Sequence, residues 1–441
     1  MIRFAAAAFG LLTAAAVPAW AEVEIQEVTS PGGINAWLVE EHSLPFVALE
    51  IAFVGGTSLD EEGKRGAVNM MTGLLEEGAG DMDARAFARA TEALATSFGF
   101  SSSPEEVTIS ARLLTENFDA SVALLRDAIQ NPRFDEADIE RVRAQVLSGI
   151  ASSAQDPNEI AQRTFAEMAY GAHPYGTPEE GTAESVAALT RDDLVQAHRN
   201  TLVRDRVLVG AVGDITPEEL GLMMDALLGE LPQSGPTLPP EVVPLIEGGT
   251  TVVDFDTPQS VALFGQRGIG IDDDDYFAAV ILNQILGGGS FESRLMEEVR
   301  EKRGLTYGVY SYLYPRDLAN AYMGSVSSAN DRIAEAVSVI RDEWARAAEE
   351  GVTEEELRDA KTYLTGAYPL RFDGNSTIAG ILVGMQMIGL DPDYVKTRNE
   401  RVERVTLADV QRVAAELLEP ENLHFVVVGK PEGLETTTTT D

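Results

Sequence analysis

Apolar residues alternate with polar ones through "EEVTISARLL" (105–114), placing Val107, Ile109, Ala111 and Leu113 on one face and predicting a half-buried strand. The runs "INAWLVE" (34–40) and "FVALEIAFV" (46–54) read as two earlier strands. Helical periodicity takes over in "DARAFARATEALATSF" from Asp83, whose side chain is a natural cap, and in "DEADIERVRAQVLSGIASS" from Asp135. The stretch "RGAVNMMTGLLEEGAGDMDARAF" (65–87) reads as a helical run with no histidine and no charge along the turns from Gly66 to Leu75. Consecutive strands followed by paired helices predict an α+β fold, an antiparallel sheet packed against helices.

The pattern then repeats. "LTRDDLVQAHRNTLVRDRVLVGAVGDI" (from Leu189) and "VTLADVQRVAAELLEPENLHFVVVGKP" (from Val405) share a cap, a helix and an apolar strand ending in glycine. Thr190 and Thr406, Asp193 and Asp409, and Gly213 and Gly429 all stand 216 residues apart. "LLRDAIQNPRFDEADIERVRAQVLSGI" from Leu124 likewise mirrors "VIRDEWARAAEEGVTEEELRDAKTYLTGA" from Val339. The chain is thus expected to be two copies of one domain, 22–231 and 250–432, joined by a Pro- and Gly-rich linker at 232–249. The polar repeat at 433–441 is expected to be a disordered tail.

Composition narrows the setting. The first 21 residues carry Arg3, a short apolar run and Ala19-Trp20-Ala21, the A-x-A pattern of a secretory cleavage site, so export is expected, with the periplasm as destination. That apolar run is too short to span a membrane. Cysteine is absent, so an exported chain here has no disulfide framework. A net charge of −39, from 72 acidic and 33 basic residues, argues against nucleic acid and leaves basic peptides or a basic partner open.

Few catalytic constellations can be drawn. The four histidines, His42, His173, His198 and His424, are scattered and never paired at helical spacing. Acidic groups at Asp272–Asp275, or at Glu76, Glu77, Asp81 and Asp83, read better as solvated loops and caps than as a cation site. There is no Cys nucleophile and no G-x-S-x-G elbow, and "LGGGSF" lacks the Lys-Ser/Thr ending of a phosphate loop.

"NQILGGGSFESRLMEEVREKRGLTYGVYSYL" (283–313) resembles the signature of the insulinase and mitochondrial processing peptidase family, the inverzincins, and the two-copy layout is similar over nearly the whole mature chain. The resemblance implies a processing-peptidase-like fold. Active members hold zinc through H-x-x-E-H on a helix of the first copy, with a further Glu about 75 residues on. The two His share one helical face and the Glu activates a zinc-bound water. Aligning Gly66 and "EEGAG" puts Asn69 and Gly73 on the two His positions, Thr72 on the base and Gly149 on the distal ligand. No metal is therefore expected in this chain.

The other half of the family's machinery is retained. Arg300 and Tyr307 occupy positions from which, by the resemblance, an Arg grips the substrate main chain or a carboxylate and a Tyr hydroxyl stabilises the developing oxyanion. From residue type alone, Arg300 could equally be a surface residue ending an amphipathic helix and Tyr307 a packed strand aromatic. Some bacterial members work as heterodimers, one chain carrying zinc and the other donating Arg and Tyr. The resemblance thus implies a non-catalytic subunit of an exported zinc peptidase, with peptides as substrates and zinc in the partner. A purely structural or chaperone-like protein of the same fold is the alternative.

Overall fold

The structure, a computed structural model, describes residues 23–437; the expected leader and residues 438–441 lie outside the described residues. The first copy opens with β1 (Gln26–Thr29), β2 (Asn35–Glu40) and β3 (Phe46–Val54). Next come α1 (Ala67–Gly73), a short ladder of β4 (Gly78–Ala79) with β5 (Met82–Asp83), α2 (Ala84–Ala93), and the hairpin β6 (Ser97–Ser102) and β7 (Glu106–Leu114). Helices α3 (Phe118–Gln130), α4 (Glu136–Ser153), α5 (Pro157–Tyr170), α6 (Ala183–Ala188) and α7 (Arg191–Thr201) precede β8 (Val207–Gly213) and α8 (Pro217–Leu228). The second copy runs β9 (Gly249–Asp254), β10 (Gln259–Arg267), α9 (Tyr276–Asn283), β11 (Val309–Pro315) and β12 (Asn320–Ala329). It ends with α10 (Ile333–Glu350), α11 (Glu354–Ala367), α12 (Asn375–Met387), α13 (Tyr394–Arg404), α14 (Leu407–Leu417) and β13 (His424–Gly429).

The first sheet has the order β1-β2-β8-β3-β7-β6 and the second β11-β12-β10-β13-β9. Their ladders are antiparallel except for one pair in each, β2 with β8 and β13 with β9, which are parallel. A returning strand that follows helices rather than a hairpin is free to arrive in that direction. The 216-residue repeat has a structural cause at both ends. Thr190 and Thr406 each form a capping box, with Asp193 and Asp409 respectively. Gly213 (φ 145°) and Gly429 (φ 152°) each end a strand where a Cβ would strike the neighbouring strand, at Phe46 O and at Ser260.

One face of each sheet packs on helices of its own copy, around Phe53, Met70 and Leu125 in the first and Phe264, Trp344 and Phe425 in the second. The opposite face is covered by a helix from the other copy. Ile160, Phe165 and Tyr170 of α5 lie on Leu263, Val426 and Val428 of the second sheet. Ala379, Leu382 and Met385 of α12 lie on Trp37, Ala48 and Val212 of the first. Glycine makes both seats possible: a Cβ on Gly265 would come within 2.7 Å of Phe165, and one on Gly210 within 2.6 Å of Ala379 O. Each fully buried Phe or Leu contributes about 1.5–3 kcal/mol, so the exchange welds the copies into one body.

Three expectations needed revision. The helical run at 65–87 stops at Gly73, and Gly78 (φ 108°) turns the chain into the β4–β5 ladder. The helix from Asp83 ends at Ala93, not Phe98, because Ala95 (φ 48°) reverses the chain and Phe98 enters β6 opposite Ala111. Cross-strand pairing outweighs the helical propensity of "ATSF". Part of the expected disordered tail is laid along β9: Thr437 N donates to Thr250 O at 2.9 Å, and Val252 N donates to Thr436 Oγ1 at 2.9 Å. β9 is an edge strand, and threonine hydroxyls occupy its free N–H groups. Among the described residues no helix is long and apolar enough to cross a membrane.

Candidate functional site

The signature segment of the second copy is built to hold one turn in place. α9 continues into a wide turn at Gln284–Gly288, where Gly287 packs so closely on Ser311 of β11 that a Cβ would lie 2.3 Å from its Oγ. Its glycine is required by packing, which removes any need for a phosphate-binding reading. Arg294 then donates to both oxygens of Glu356, at 2.6 and 2.8 Å, and to Gly351 O at 3.0 Å, fastening the segment to α11. Burial raises the Glu356 carboxyl, but the bonds from Arg294 and from Thr353 outweigh it and hold it down at about 2.

Arg300 lies on a second wide helical turn, Met296–Glu301, a geometry that departs from the α-helical ladder and recurs at functional positions. Its guanidinium sits 4.5 Å over the Phe291 ring and 3.5 Å from Glu301 Oε1, and its Nη1 has no hydrogen-bond partner. Gly304 (φ 59°) reverses the chain, with its N–H on Arg300 O and Leu305 N–H on Val299 O. Thr306 Oγ1 donates to Ser327 O at 2.6 Å and accepts from Gly308 N at 3.1 Å. The loop is thereby pinned on both sides of Tyr307, whose side chain is 89% exposed. Arg300 and Tyr307 line one solvent-open hollow of about 480 Å³, with Gln259, Ser327 and Arg332 on its other walls. The reading of Tyr307 as a packed strand aromatic is thus excluded.

On the first copy, α1 is held with care although its motif positions carry no ligand. Asp60, its side chain fully buried, accepts from Gly66 N and Val68 N, both at 2.8 Å, and so caps the helix start. Burial pushes this carboxyl up to about 6 despite those bonds and the nearby Arg65. Arg65 in turn reaches Pro174 O and Pro178 O. Asn69 donates weakly to Ser102 Oγ at 3.4 Å, and the buried Thr72 hydroxyl donates to Val68 O at 2.8 Å. Gly73 is exposed, and a Cβ added to it would meet only Val142 of α4, at 3.6 Å; one added to Gly149 would meet nothing within 4 Å. An amide, a hydroxyl tied to its own helix and two bare glycines are not a donor set for zinc.

The four histidines and several of the acidic candidates have structural partners. His198 is buried on Ile129 O, His173 binds Pro240 O, His424 binds Glu247 O and Thr251, and His42 lies between Glu40 and Asp214. Asp275 pairs with Arg412, Glu77 with Arg141, and Asp83 caps α2. Among the described residues no group of three or more such side chains could hold a metal ion.

Two features escaped the reading of the sequence. Glu105, at the β6–β7 tip, accepts from Arg316 Nε at 3.2 Å, from Asp317 N at 3.0 Å and from the Tyr175 hydroxyl, joining the copies. Beside it, a groove of about 340 Å³ opens between α5 and the edge strand β11, walled by Tyr310, Tyr312 and Tyr314. The period-two tyrosines of "YSYLYPR" were the available signal.

Comparison with known proteins bears on both halves. The insulinase (peptidase family M16) model matches residues 37–183, and the model for the peptidase M16 inactive domain matches residues 188–364. A non-peptidase homolog of Helicobacter pylori is 26% identical over 88% of this chain and 90% of its own length. An uncharacterized zinc protease of Mycobacterium leprae is 30% identical over 88% of each. Among solved structures, a peptidase M16 inactive domain from Pseudomonas fluorescens superposes with a TM-score of 0.87 at 27% identity, covering 94% of this chain and all of that one. A protease from Helicobacter pylori shares the fold, with a TM-score of 0.83 at 18% identity over 92% of this chain.

Proposed function

The chain belongs to the insulinase (M16) family of peptidases as an inactive member, and we propose that it is the non-catalytic subunit of a heterodimeric zinc peptidase. In that role it forms half of the substrate chamber and donates Arg300 and Tyr307 to a site whose zinc is held by the partner. The observation that carries the reading is the asymmetry between the copies. Arg300 and Tyr307 line one open hollow, Tyr307 almost wholly exposed, while Asn69, Thr72, Gly73 and Gly149 leave the metal half without donors.

Each donated group has a task that its setting suits. The Arg300 guanidinium, stacked on Phe291 and lining the open hollow, is placed to grip a substrate carbonyl or carboxylate. The Tyr307 hydroxyl is free to donate to a carbonyl oxygen as it gains negative charge. In the isolated chain both face water, where such bonds are weak; a partner subunit closing over them would dry the site. Substrates are peptides, and the leader at 1–21 points to export and a periplasmic complex.

Co-purification of the full chain from its own cells, followed by assay on a mixed peptide library with and without a zinc chelator, tests the reading. Chelator-sensitive cleavage that needs both chains supports it. A bound partner with no cleavage, or none at all, would turn the reading to a structural role.

A further inference from the structure

The two sheets correspond strand for strand except at one edge. β2 and β9 hold the same place, each paired in parallel with the last strand of its own copy. Beyond β2 lies β1, antiparallel to it from Gln26 opposite Leu38 to Thr29 opposite Asn35. Beyond β9 the sheet has no further strand among the described residues, and the far end of the chain takes that place. Phe255 N donates to Gly429 O of β13, so by the period of two Thr251 and Val253 address β13 while Thr250 and Val252 address the open side. Those are the two residues that the tail meets. Thr437 N donates to Thr250 O at 2.9 Å, Thr250 N to Thr437 Oγ1 at 2.8 Å and Val252 N to Thr436 Oγ1 at 2.9 Å. With Thr437 beside Thr250 and Thr436 beside Val252, the tail runs against β9 as β1 runs against β2. Upstream it is tied by Glu432 N on Asn330 O at 2.8 Å and by Leu434 packing on the second core.

The sequence of β9 gives a reason for the cover. "GTTVVD" sets Thr250, Thr251, Val252 and Val253 in succession, all β-branched, with no proline and its only charge at Asp254. An uncovered edge of that kind pairs readily with another. Two copies of β9 can meet antiparallel about a two-fold axis at Val252, so that the outward N–H and C=O groups of each find those of the other. The tail competes for the same groups, but it meets the Thr250 and Val252 amides with side-chain hydroxyls rather than with a backbone ladder. It is a lighter cover than β1 provides for β2.

We propose that residues 432–437 are a displaceable guard on the edge of β9, and that the edge beneath is a pairing site for β9 of a second copy of this chain. With the tail seated the site is closed; with the tail released the chain self-associates edge to edge.

Sedimentation velocity over a concentration series tests it on the full chain, on a chain ending at Pro431, and on the full chain carrying Thr436→Val and Thr437→Val. The double variant loses both hydroxyls but keeps the length and charges of the tail. The shortened chain is expected to self-associate about tenfold more tightly than the full chain, or better, with the double variant between them. Val252→Pro removes an outward N–H without touching the ladder to β13, so adding it to the shortened chain should return association to the level of the full chain. A shortened chain that associates no more than the full chain, or association that Val252→Pro leaves intact, would overturn the proposal. So would a double variant that behaves as the full chain does, since the effect would then belong to the lost charges of Glu432 and Glu435.

Discussion

Arg316 donates to Glu105 across 3.2 Å although the two residues stand 211 positions apart, each at the hairpin tip of its own copy. The contact lies where the corresponding hairpins β6–β7 and β11–β12 meet. Tyr175 adds its hydroxyl to the same carboxylate and its ring to the same guanidinium. This junction and the two exchanged helices are what make one body of a duplicated chain.

Removing the cation from that junction leaves a largely buried carboxylate with only the neutral Tyr175 hydroxyl and Asp317 N–H to offset its charge. Arg316→Ala is therefore expected to cost about 3–5 kcal/mol, read as a lowered midpoint in urea unfolding. Arg126→Ala, whose pair with Asp127 is solvent-exposed, should cost about 0–1 kcal/mol. Equal losses in the two variants would mean that the junction is not structural.

If the first copy lost its metal only through its donors, restoring them should restore binding. Gly149 has open space and Gly73 meets only Val142, so Asn69→His, Gly73→His and Gly149→Glu can be combined without displacing backbone. Replacing Gly73 by His in a helix changes helix propensity by only a few tenths of a kcal/mol, in the favourable direction. The triple variant is expected to bind zinc with a Kd of about 1 µM or tighter by calorimetry, equivalent to about −8 kcal/mol, and the parent chain is expected to show no binding at these positions. Failure to bind would show that the α1–α4 geometry has drifted as well as the residues.

How far the sequence could be read differs between regions for physical reasons. The caps of α7 and α14, the alternation in β7 and the paired Gly213 and Gly429 are local signals, and they carried the duplication and the fold class. β6 was hidden because "SFGFSS" becomes a strand only through its partner Ala111 and its neighbours. The exchange of α5 and α12 and the Glu105–Arg316 contact depend on residues far apart in sequence with no periodicity linking them. Arg300 and Tyr307 were found through the signature, but only the loop pinned by Thr306 explains why Tyr307 faces solvent.

The bond between Arg294 and Glu356 gives the signature segment an acid-sensitive fastening. Glu356 titrates at about 2 in the folded chain against an ordinary value of 4.5. A carboxyl with a depressed folded value contributes stability that is present above about 4.5 and is lost as pH falls towards 2. Glu356→Gln is expected to cost about 1.5–3 kcal/mol at pH 7, with the difference from the parent shrinking between pH 4.5 and 2. A difference that stays constant down to pH 2 would rule out the charged bond as its source.

The role of Arg300 and Tyr307 is separable from stability because of where they sit. Tyr307 is 89% exposed and bonds to nothing that holds the loop, so Tyr307→Phe should shift unfolding by no more than about 0.5 kcal/mol. In the proposed complex with a zinc-bearing partner the same change would remove one donor to the oxyanion, which predicts a fall in kcat of about 10²–10³-fold with KM little altered. Arg300→Ala removes a grip made on the bound substrate as well as on the transition state, so KM should rise along with any fall in kcat. Arg300→Lys tests the geometry further. A lysine keeps the charge but loses the planar fork and its stacking on Phe291, and should recover only part of the loss. Full activity in Tyr307→Phe would remove the hydroxyl from the chemistry and leave this subunit a structural half of the chamber.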